Sequence, residues 1–307
     1  SIIYQPKNIF IYMLRRDFIK NTTMLSATAL VVNPLDWEFG PKVDLTNIGV
    51  QLYTVRTEME NDPLGTLKQI KAIGYNHVES AGYGARKFYG QTKENFKMIL
   101  RDLGLEMYSG HTMTGFNAAK DSYNMSNNWE AVCEDAAFVG QKYIACGWFF
   151  PDERKTIDDY KKHADLFNKC GQKAKEYGLQ FCHHNHDFEF FPIDGIIPYD
   201  ILLTETDKNL VKFEVDHYWT RKANVDTKKL IKKNQGRFPL FHIKDMDNTP
   251  EKSFAPVGTG IIDWKQVFKL APKAGLDLFF VEQDTCTKMT ALESIKVSFD
   301  NLRKLKL

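Results

Sequence analysis

Residues 178–190 read Gly-Leu-Gln-Phe-Cys-His-His-Asn-His-Asp-Phe-Glu-Phe, an apolar β-type run that ends in three histidines and two carboxylates. Burying so many polar side chains at one strand end is costly unless partners satisfy them. Because side chains alternate along a strand, His184 and His186 face one side, and His183 and Asn185 face the other. Taken alone, the stretch fits either a ligand-binding strand end or a histidine-rich loop after a core strand.

The rest of the chain repeats this order of a β-rich run followed by a helical pattern. Eight such units begin at Ile48, with strands predicted at 48–53, 76–79, 105–109, 142–146, 178–184, 211–216, 238–244 and 278–282. Alternating strands and helices of this length indicate right-handed βαβ units and a parallel sheet. Glycines at 74, 104, 178 and 275 fit helix C-termini just before strands. We predict an α/β fold, a (β/α)₈ TIM barrel, as one domain over residues 45–307.

Composition is typical of a globular protein with a sizeable core and argues against two classes of partner. The 307 residues include 41 basic and 39 acidic side chains, so the net charge is only +2. This balance predicts no nucleic-acid partner and no stable membrane insertion. Five scattered cysteines without C-x-x-C spacing are interpreted as buried thiols rather than as disulfides or a zinc cluster.

The N-terminal residues 1–44 are predicted to be an extension that carries an export signal. Arg15-Arg-Asp-Phe-Ile-Lys20 precedes a small, apolar run at 24–32, the arrangement of a twin-arginine signal. Cleavage after Ala27-Thr-Ala29 would start the mature chain near Leu30, and Met13 is the expected start of translation. We therefore expect an exported, periplasmic protein. The alternative is an exposed basic helix.

Candidate functional residues lie at the predicted C-terminal strand ends, where barrels of this type place their active sites. They are Gln51, Glu79, His111, His184 with His186, Asp216, His242 with Lys244, and Glu282 with Asp284. Histidines and carboxylates are concentrated on the last four strands. His184, Asp216, His242 and Glu282 would surround a divalent cation, and mixed N and O ligands suit Mn²⁺, Co²⁺, Zn²⁺ or Mg²⁺.

Several motifs resemble those of the sugar phosphate isomerase/epimerase family, in the xylose isomerase-like barrel superfamily. They are Gly49-Val-Gln-Leu-Tyr-Thr-Val-Arg56, His184-Asn-His-Asp-Phe-Glu-Phe190, Asp216 with Trp219, His242-Ile-Lys-Asp245, and Val257-Gly-Thr-Gly-Ile-Ile-Asp-Trp264. The resemblance covers about residues 45–307. It implies a metal-dependent barrel that acts on a sugar or polyol next to a carbonyl. It also implies that Asp216, His242 and Glu282 are metal ligands.

Two departures from the family pattern bear on the reaction. His184 stands where the ketose epimerases carry a glutamate, and those enzymes use two opposed glutamates as bases. This chain keeps only Glu282, so one-base isomerisation or β-elimination competes with two-base epimerisation. Thr259 stands where the family often has a glutamate, which predicts different substrate contacts.

The remaining strand-end residues receive individual roles, each with an alternative. The predicted acid–base residues are Glu79, Lys244 and Glu282. In the alternative interpretation, Glu79 caps a loop. The alternative for Lys244 is a surface ion pair with Asp245 or Asp247. His111, His186 and Trp219 are predicted to contact substrate. The alternatives are a rim histidine for His111, an orienting role beside a ligand for His186, and packing for Trp219. Tyr53 and Phe149 could also wall a sugar site, and Glu214 would pair with Lys212 inside the barrel.

Three functions remain open from the sequence. The first is a metal-dependent sugar isomerase or epimerase, and the second is a lyase or dehydratase that acts on a keto-sugar or keto-glycoside with the same metal. The third is a non-catalytic sugar-binding barrel. The endonuclease branch of the superfamily ranks last, because net charge gives no DNA-binding excess. No glycine-rich phosphate-binding loop marks the chain, so a phosphorylated substrate is not predicted.

Overall fold

The computed structural model describes residues 43–307, so the predicted export signal lies outside the described part of the chain. Eight parallel strands close into a barrel in chain order, and the last strand pairs with the first through Gly49 opposite Phe280. The strands are β1 (Gly49–Gln51), β2 (His77–Ser80), β3 (Glu106–Met113), β4 (Tyr143–Trp148), β5 (Gln180–His184), β6 (Val211–Asp216), β7 (Leu240–Ile243) and β8 (Leu278–Val281). This closed barrel confirms the predicted fold class.

Helices surround the barrel and connect its strands. They are α1 (Arg56–Asn61), α2 (Pro63–Ile73), α3 (Lys93–Leu103), α4 (Trp129–Val139), α5 (Ile157–Glu176), α6 (Pro198–Glu205), α7 (His217–Lys222), α8 (Thr227–Lys233), α9 (Trp264–Phe268), α10 (Ala271–Ala274) and α11 (Ala291–Lys304). Among the described residues, no helix is long and apolar enough to cross a membrane.

Several elements differ from the sequence prediction: β3 and β4 extend beyond their predicted ends, α1 and α7 were not predicted, and two further differences have clear local reasons. The first strand ends at Gln51, whose side chain accepts a hydrogen bond from Tyr53 N and starts a 3₁₀ turn over Leu52–Val55. The helix predicted at 264–273 is two helices, because Pro272 has no N–H to donate to the preceding turn. The predicted helix ends are confirmed at Gly104 and Gly275, which adopt φ of 63° and 75°.

The barrel interior is apolar at its lower end and polar at its upper end. Cys182, Leu240 and Phe280 form part of a small buried apolar cluster inside the barrel. Each precedes a predicted ligand by two residues, so strand alternation places His184, His242 and Glu282 on the same inward face, one layer higher. This layering puts the candidate site at the C-terminal ends of the strands.

The larger core lies between the strands and the helices and includes most of the cysteines. All five cysteines are free thiols, and four are buried, whereas Cys286 is only half-buried.

Two small antiparallel insertions lie on the upper face of the barrel. A three-stranded insertion at Tyr83–Thr92 follows β2, and a two-stranded insertion formed by Asp245–Met246 and Phe254–Ala255 follows β7. The second insertion borders the candidate site.

Candidate metal centre

The ends of β5, β6, β7 and β8 bring four predicted ligands together inside the barrel. His184, Asp216, His242 and Glu282 are at most 5% exposed, and one ligand atom of each lies within 4.8 Å of the others. His184 Nε2 and His242 Nδ1 lie 3.9 Å and 4.0 Å from Asp216 Oδ2. His242 Nδ1 also lies 2.8 Å from Glu282 Oε2. We call these four residues the outer set.

The donor atoms of the outer set fit a divalent cation. Asp216 Oδ1 accepts a hydrogen bond from Trp219 N, and the buried Oδ2 lies 3.1 Å from the Lys244 ammonium. The same Oδ2 belongs to the group of four ligand atoms that lie within 4.8 Å of one another. Two imidazole nitrogens and two carboxylate oxygens are a ligand set that divalent transition metals accept. The buried cluster therefore fits a divalent metal site.

Lys244 supplies a positive charge beside two of these carboxylates. Its Nζ lies 2.7 Å from Glu282 Oε2, 3.1 Å from Asp216 Oδ2 and 2.6 Å from Asp284 Oδ1. The side chain is 1% exposed, so the alternative of a surface ion pair with Asp245 or Asp247 is wrong. Burial disfavours the ammonium, but the three carboxylates outweigh it and raise the Lys244 pKa well above its usual value.

Burial and charge separate the protonation states of the outer set. Burial, reinforced by the His242 charge, lowers the pKa of His184 to about 3, so its imidazole is neutral as a metal ligand must be. Burial raises the pKa of Asp216 to about 6 against the opposing effect of Lys244. Burial acts in the same direction on Glu282, but Lys244 and His242 prevail and hold its pKa well below the usual range. Glu282 is therefore a carboxylate at neutral pH.

A second layer of carboxylates lies deeper in the barrel. Glu214 does not pair with Lys212, so the predicted ion pair is wrong: Lys212 Nζ donates to the Gly236 carbonyl at 2.8 Å instead. Glu214 Oε2 lies 2.7 Å from His111 Nε2 and 3.2 Å from His184 Nδ1. The sequence pattern does not predict this role, although Glu214 precedes Asp216 by two residues and so shares its inward face.

Glu79 occupies the same deep layer on the other side of His242. Its Oε2 accepts hydrogen bonds from His242 Nε2 at 2.5 Å and from Gln51 Nε2 at 2.8 Å. His111, His184, Glu214 and His242 also have the spacing of a metal-binding group. We call these four residues the inner set; it shares His184 and His242 with the outer set.

A cavity of about 490 Å³ opens directly above the outer set. Its lining residues are Tyr53, Ala81, His111, Met113, Gly147, Trp148, His184, His186, Trp219, Lys244, Phe254, Glu282, Asp284 and Thr285. The predicted residues Lys244, Glu282, His111, His186 and Trp219 are thus brought together at one cavity. Glu79 does not line it, because it lies fully buried beneath His242.

Aromatic side chains wall one side of this cavity. His186 lies between Trp148 and Trp219, with ring centroids 4.5 Å and 5.2 Å away. The sequence predicts Phe149 in this wall and does not predict Trp148, but Phe149 is fully buried and stacks on His163 outside the barrel wall. Trp148 lines the cavity and Phe149 does not, because neighbouring residues along a strand face opposite sides.

The motif at 257–264 folds a loop beside the cavity and does not line it. Asp245 accepts hydrogen bonds from the backbone N–H groups of Gly258, Gly260 and Ile262 and from Trp264 Nε1. Thr259 Oγ1 donates to the Pro256 carbonyl at 2.7 Å. Asp245 therefore holds the loop in place.

A larger groove, of about 870 Å³, lies between α7, α8 and α9 on the outside of the barrel. None of the predicted site residues lines it. The smaller cavity above the outer set is the candidate active site, because it alone of the two joins an apolar wall to convergent polar groups.

Comparisons with known proteins agree with this architecture. Residues 67–305 match the model of a family described as xylose isomerase-like TIM barrel. A sugar phosphate isomerase/epimerase structure from Parabacteroides distasonis is 28% identical, with a TM-score of 0.74 over 85% of this chain and 98% of that chain. A second structure with that description from the same organism is 23% identical, with a TM-score of 0.71 over 85% of this chain and 94% of that chain.

A more distant structure, the IolI protein with a bound zinc atom, is 16% identical, with a TM-score of 0.62 over 83% of this chain and 96% of that chain. No curated protein matches the chain. The predicted family resemblance is confirmed by the family model and the two structures from Parabacteroides distasonis.

Proposed function

The chain belongs to the xylose isomerase-like TIM barrel family, and from that premise we propose that it is a metal-dependent sugar isomerase or epimerase that moves a proton next to a carbonyl. The observation that carries the proposal is the outer set, four convergent ligands at the base of a cavity with an aromatic wall. A sugar ring presents apolar C–H faces and hydroxyl edges, which suit Trp148 and Trp219 on one side and Lys244 and Glu282 on the other.

His184, Asp216, His242 and Glu282 would hold the cation. When bound, a divalent cation supplies a Lewis acid that stabilises negative charge on a substrate oxygen. Zinc in the IolI protein supports this assignment, and the donor set is equally compatible with Mn²⁺, Co²⁺ or Mg²⁺.

Two groups that line the cavity are suited to proton transfer. Glu282 is ionised at neutral pH and reaches the cavity, so it is the candidate base. The Lys244 ammonium is the candidate donor to a developing oxyanion. Glu79 was also predicted as an acid–base residue, but its position beneath His242 supports a role through that imidazole instead.

One observation favours a second candidate, a lyase that eliminates water or an aglycone next to the carbonyl. The lining carboxylates Glu282 and Asp284 both follow β8, so they approach a substrate from one side. Epimerisation between two carboxylates needs them on opposite faces of the carbon, whereas isomerisation or β-elimination needs only one base. Release of an enone or aglycone would support the lyase, and deuterium incorporation without such loss would support the isomerase.

The substrate is proposed to be an unphosphorylated sugar, polyol or glycoside. Among the described residues that line the cavity, Lys244 is the only lysine or arginine, and three carboxylates already surround it. A phosphate group prefers unpaired cations or free backbone N–H groups. The cavity therefore suits hydroxyl groups better than phosphate.

The deciding experiment measures bound metal in the purified protein by elemental analysis, beside a His184→Ala variant and an Asp135→Asn variant as a remote control. Near-stoichiometric metal that is lost only in His184→Ala would support the outer set, and turnover would then be screened with sugars in D₂O. If the wild type binds no metal even with excess Mn²⁺ or Zn²⁺, both enzyme proposals fail. Tight metal-independent sugar binding without turnover would then identify a sugar-binding barrel.

Export to the periplasm through the motif at Arg15–Lys20 is also proposed, on the sequence pattern alone. The test is cell fractionation of the full chain beside a variant in which Arg15 and Arg16 are both replaced by lysine. Cytoplasmic retention of both proteins would contradict the proposal.

A further inference from the structure

The inner and outer sets share two histidines, and each of these imidazoles uses a different nitrogen for each set. His184 directs Nε2 toward Asp216 and Nδ1 toward Glu214. His242 directs Nδ1 toward Glu282 and Nε2 toward Glu79, with Glu214 Oε2 3.2 Å from the same nitrogen. The two rings thus separate an upper layer, in which Glu282 lines the cavity, from a deep layer, in which Glu79 and Glu214 are fully buried and His111 reaches the cavity wall.

A neutral imidazole has one N–H and one lone pair, so each ring can bind a cation on one side only. The opposite side must then offer a hydrogen-bond acceptor. Glu214 Oε2 is such an acceptor for His184 Nδ1, and Glu79 Oε2 is one for His242 Nε2. An ionised carboxylate only accepts, so His184 carries its proton on Nδ1 beside Glu214 and keeps the lone pair on Nε2. His242 faces a carboxylate oxygen with each nitrogen, Glu79 below and Glu282 2.8 Å away above. Its Nδ1 is therefore free to bind a cation only after the proton beside Glu282 has left, while Nε2 keeps its partner Glu79.

The surroundings of the two layers favour the upper one for the cation. Glu282 and Lys244 of the upper layer line the cavity, whereas Glu79 and Glu214 are fully buried and do not. A third imidazole reinforces the deep layer, because His111 Nε2 donates to the same Glu214 oxygen at 2.7 Å.

We propose that Glu214 and Glu79 are positioning residues that fix the tautomers of His184 and His242, so that the cation binds the outer set and not the inner set. Metal-binding histidines commonly donate their second N–H to a carboxylate, which orients the ring and raises its basicity. The proposal rests on the proposed metal site, and it assigns to this chain a pair of anchors from β2 and β6 that never touch substrate.

The test compares four variants with the wild type: Glu214→Gln, Glu79→Gln, Asp216→Asn and the remote control Asp135→Asn. Zn²⁺ affinity is measured by competition with a chromophoric chelator. We expect affinity to fall 10- to 100-fold in Glu214→Gln and Glu79→Gln, because an amide accepts less strongly. Binding should be lost in Asp216→Asn and unchanged in Asp135→Asn.

A second readout follows the eight histidine side chains by ¹⁵N NMR of the metal-free protein. In the wild type, His184 should show a protonated Nδ1 and an unprotonated Nε2. Glu214→Gln should move the ring signals of His184 and His111 and leave His163 and His217 unchanged. Glu214→Asp keeps the carboxylate and should recover part of both the tautomer and the affinity, and it replaces Glu214→Gln if that variant does not fold.

The outcomes separate the two proposals. Loss of Zn²⁺ binding in Glu214→Gln with normal binding in Asp216→Asn would place the cation in the inner set and overturn the inference. Unchanged affinity and ring signals in Glu214→Gln and Glu79→Gln would overturn it as well. If the wild type binds no metal, the proposed function fails, and the ring signals of the metal-free variants still decide whether the carboxylates fix the tautomers.

Discussion

The ammonium of Lys244 lies 2.7 Å from Glu282 Oε2. That oxygen also lies 2.8 Å from His242 Nδ1, so an internal cation and a ligand nitrogen share one carboxylate oxygen of the outer set. A divalent cation bound there would experience repulsion from the ammonium, which burial leaves weakly screened. Lys244 would therefore compete with a bound cation at the same site where we propose that it assists the chemistry.

Lys244→Met is expected to bind Mn²⁺ or Zn²⁺ about tenfold more tightly, equivalent to ~1.4 kcal/mol, while turnover falls by at least about a hundredfold. Calorimetric metal titration and steady-state kinetics check the two effects. Lys212→Met is the matched control, since Lys212 lies on β6 and donates to the Gly236 carbonyl away from the cavity. Weaker metal binding in Lys244→Met would show that the ammonium helps to hold the site together.

Trp219→Leu should raise KM for the sugar about tenfold, from the loss of ~1–2 kcal/mol of contact with a flat aromatic face. The change in kcat should be smaller than the change in KM, because the ring approaches the proposed acid–base groups only through its face, with Lys244 Nζ 5.4 Å from the ring centroid. Trp219→Phe is the matched variant that keeps an aromatic face and should change KM much less. A fall in kcat at constant KM would indicate that Trp219 acts in the chemical step.

Asp245→Asn should lower the free energy of unfolding by about 2–4 kcal/mol, because one carboxylate satisfies four N–H groups of the loop and its tryptophan. An amide has a single accepting oxygen, so at least two donors lose their partner. Urea unfolding measures the loss, and hydrogen exchange should localise it to residues 256–264. Asp247→Asn is the control with a much smaller expected effect, since Asp247 accepts hydrogen bonds within its own turn from Thr249 and Ser253 and otherwise pairs with the exposed Lys288 at 3.6 Å.

Most of the barrel could be predicted because strand and helix periods alternate clearly from β1 to α11. The clustering of residues 184, 216, 242 and 282 could be predicted for the same reason, since residues at the C-terminal ends of parallel strands meet at one face of the barrel. Thus strand alternation was sufficient to bring these four side chains together.

The deep layer could not be predicted in the same way. Strand alternation predicts that Glu214 lies inside the barrel, but it does not identify its partner. Glu214 pairs with His111, and Glu79 pairs with His242, and in each pair the two strands are far apart in sequence. Both pairings depend on side-chain rotamers. Lys212 was the nearest opposite charge along the chain, but it faces the lower end of the barrel. The choice between Trp148 and Phe149 required the register of β4, which extends two residues beyond the predicted end.

His163 should make the stability of the barrel depend on pH in the acidic range. The ring is fully buried, stacks on Phe149 with centroids 3.7 Å apart, and donates from Nε2 to the Glu153 carbonyl at 2.7 Å. Burial lowers its pKa to about 4, against an ordinary value of 6.5 in the unfolded chain. The contribution of the neutral ring to the free energy of unfolding is therefore complete above pH 6.5. As pH falls from 6.5 toward 4, up to about 3 kcal/mol of that contribution is lost.

Urea unfolding at several pH values between 7 and 4 measures this effect in the wild type and in His163→Phe. The variant keeps the aromatic stack but cannot bind a proton at this position. Its free energy of unfolding should therefore fall less steeply with pH than that of the wild type, and the two slopes should differ by as much as ~1.4 kcal/mol per pH unit below pH 6. The comparison uses slopes, because losing the hydrogen bond to Glu153 lowers the variant's stability at every pH. Parallel slopes would mean that His163 has the same pKa in the folded and unfolded chains. The loss of stability in acid would then come from other buried histidines. One of these is His77, whose pKa burial also lowers to about 4.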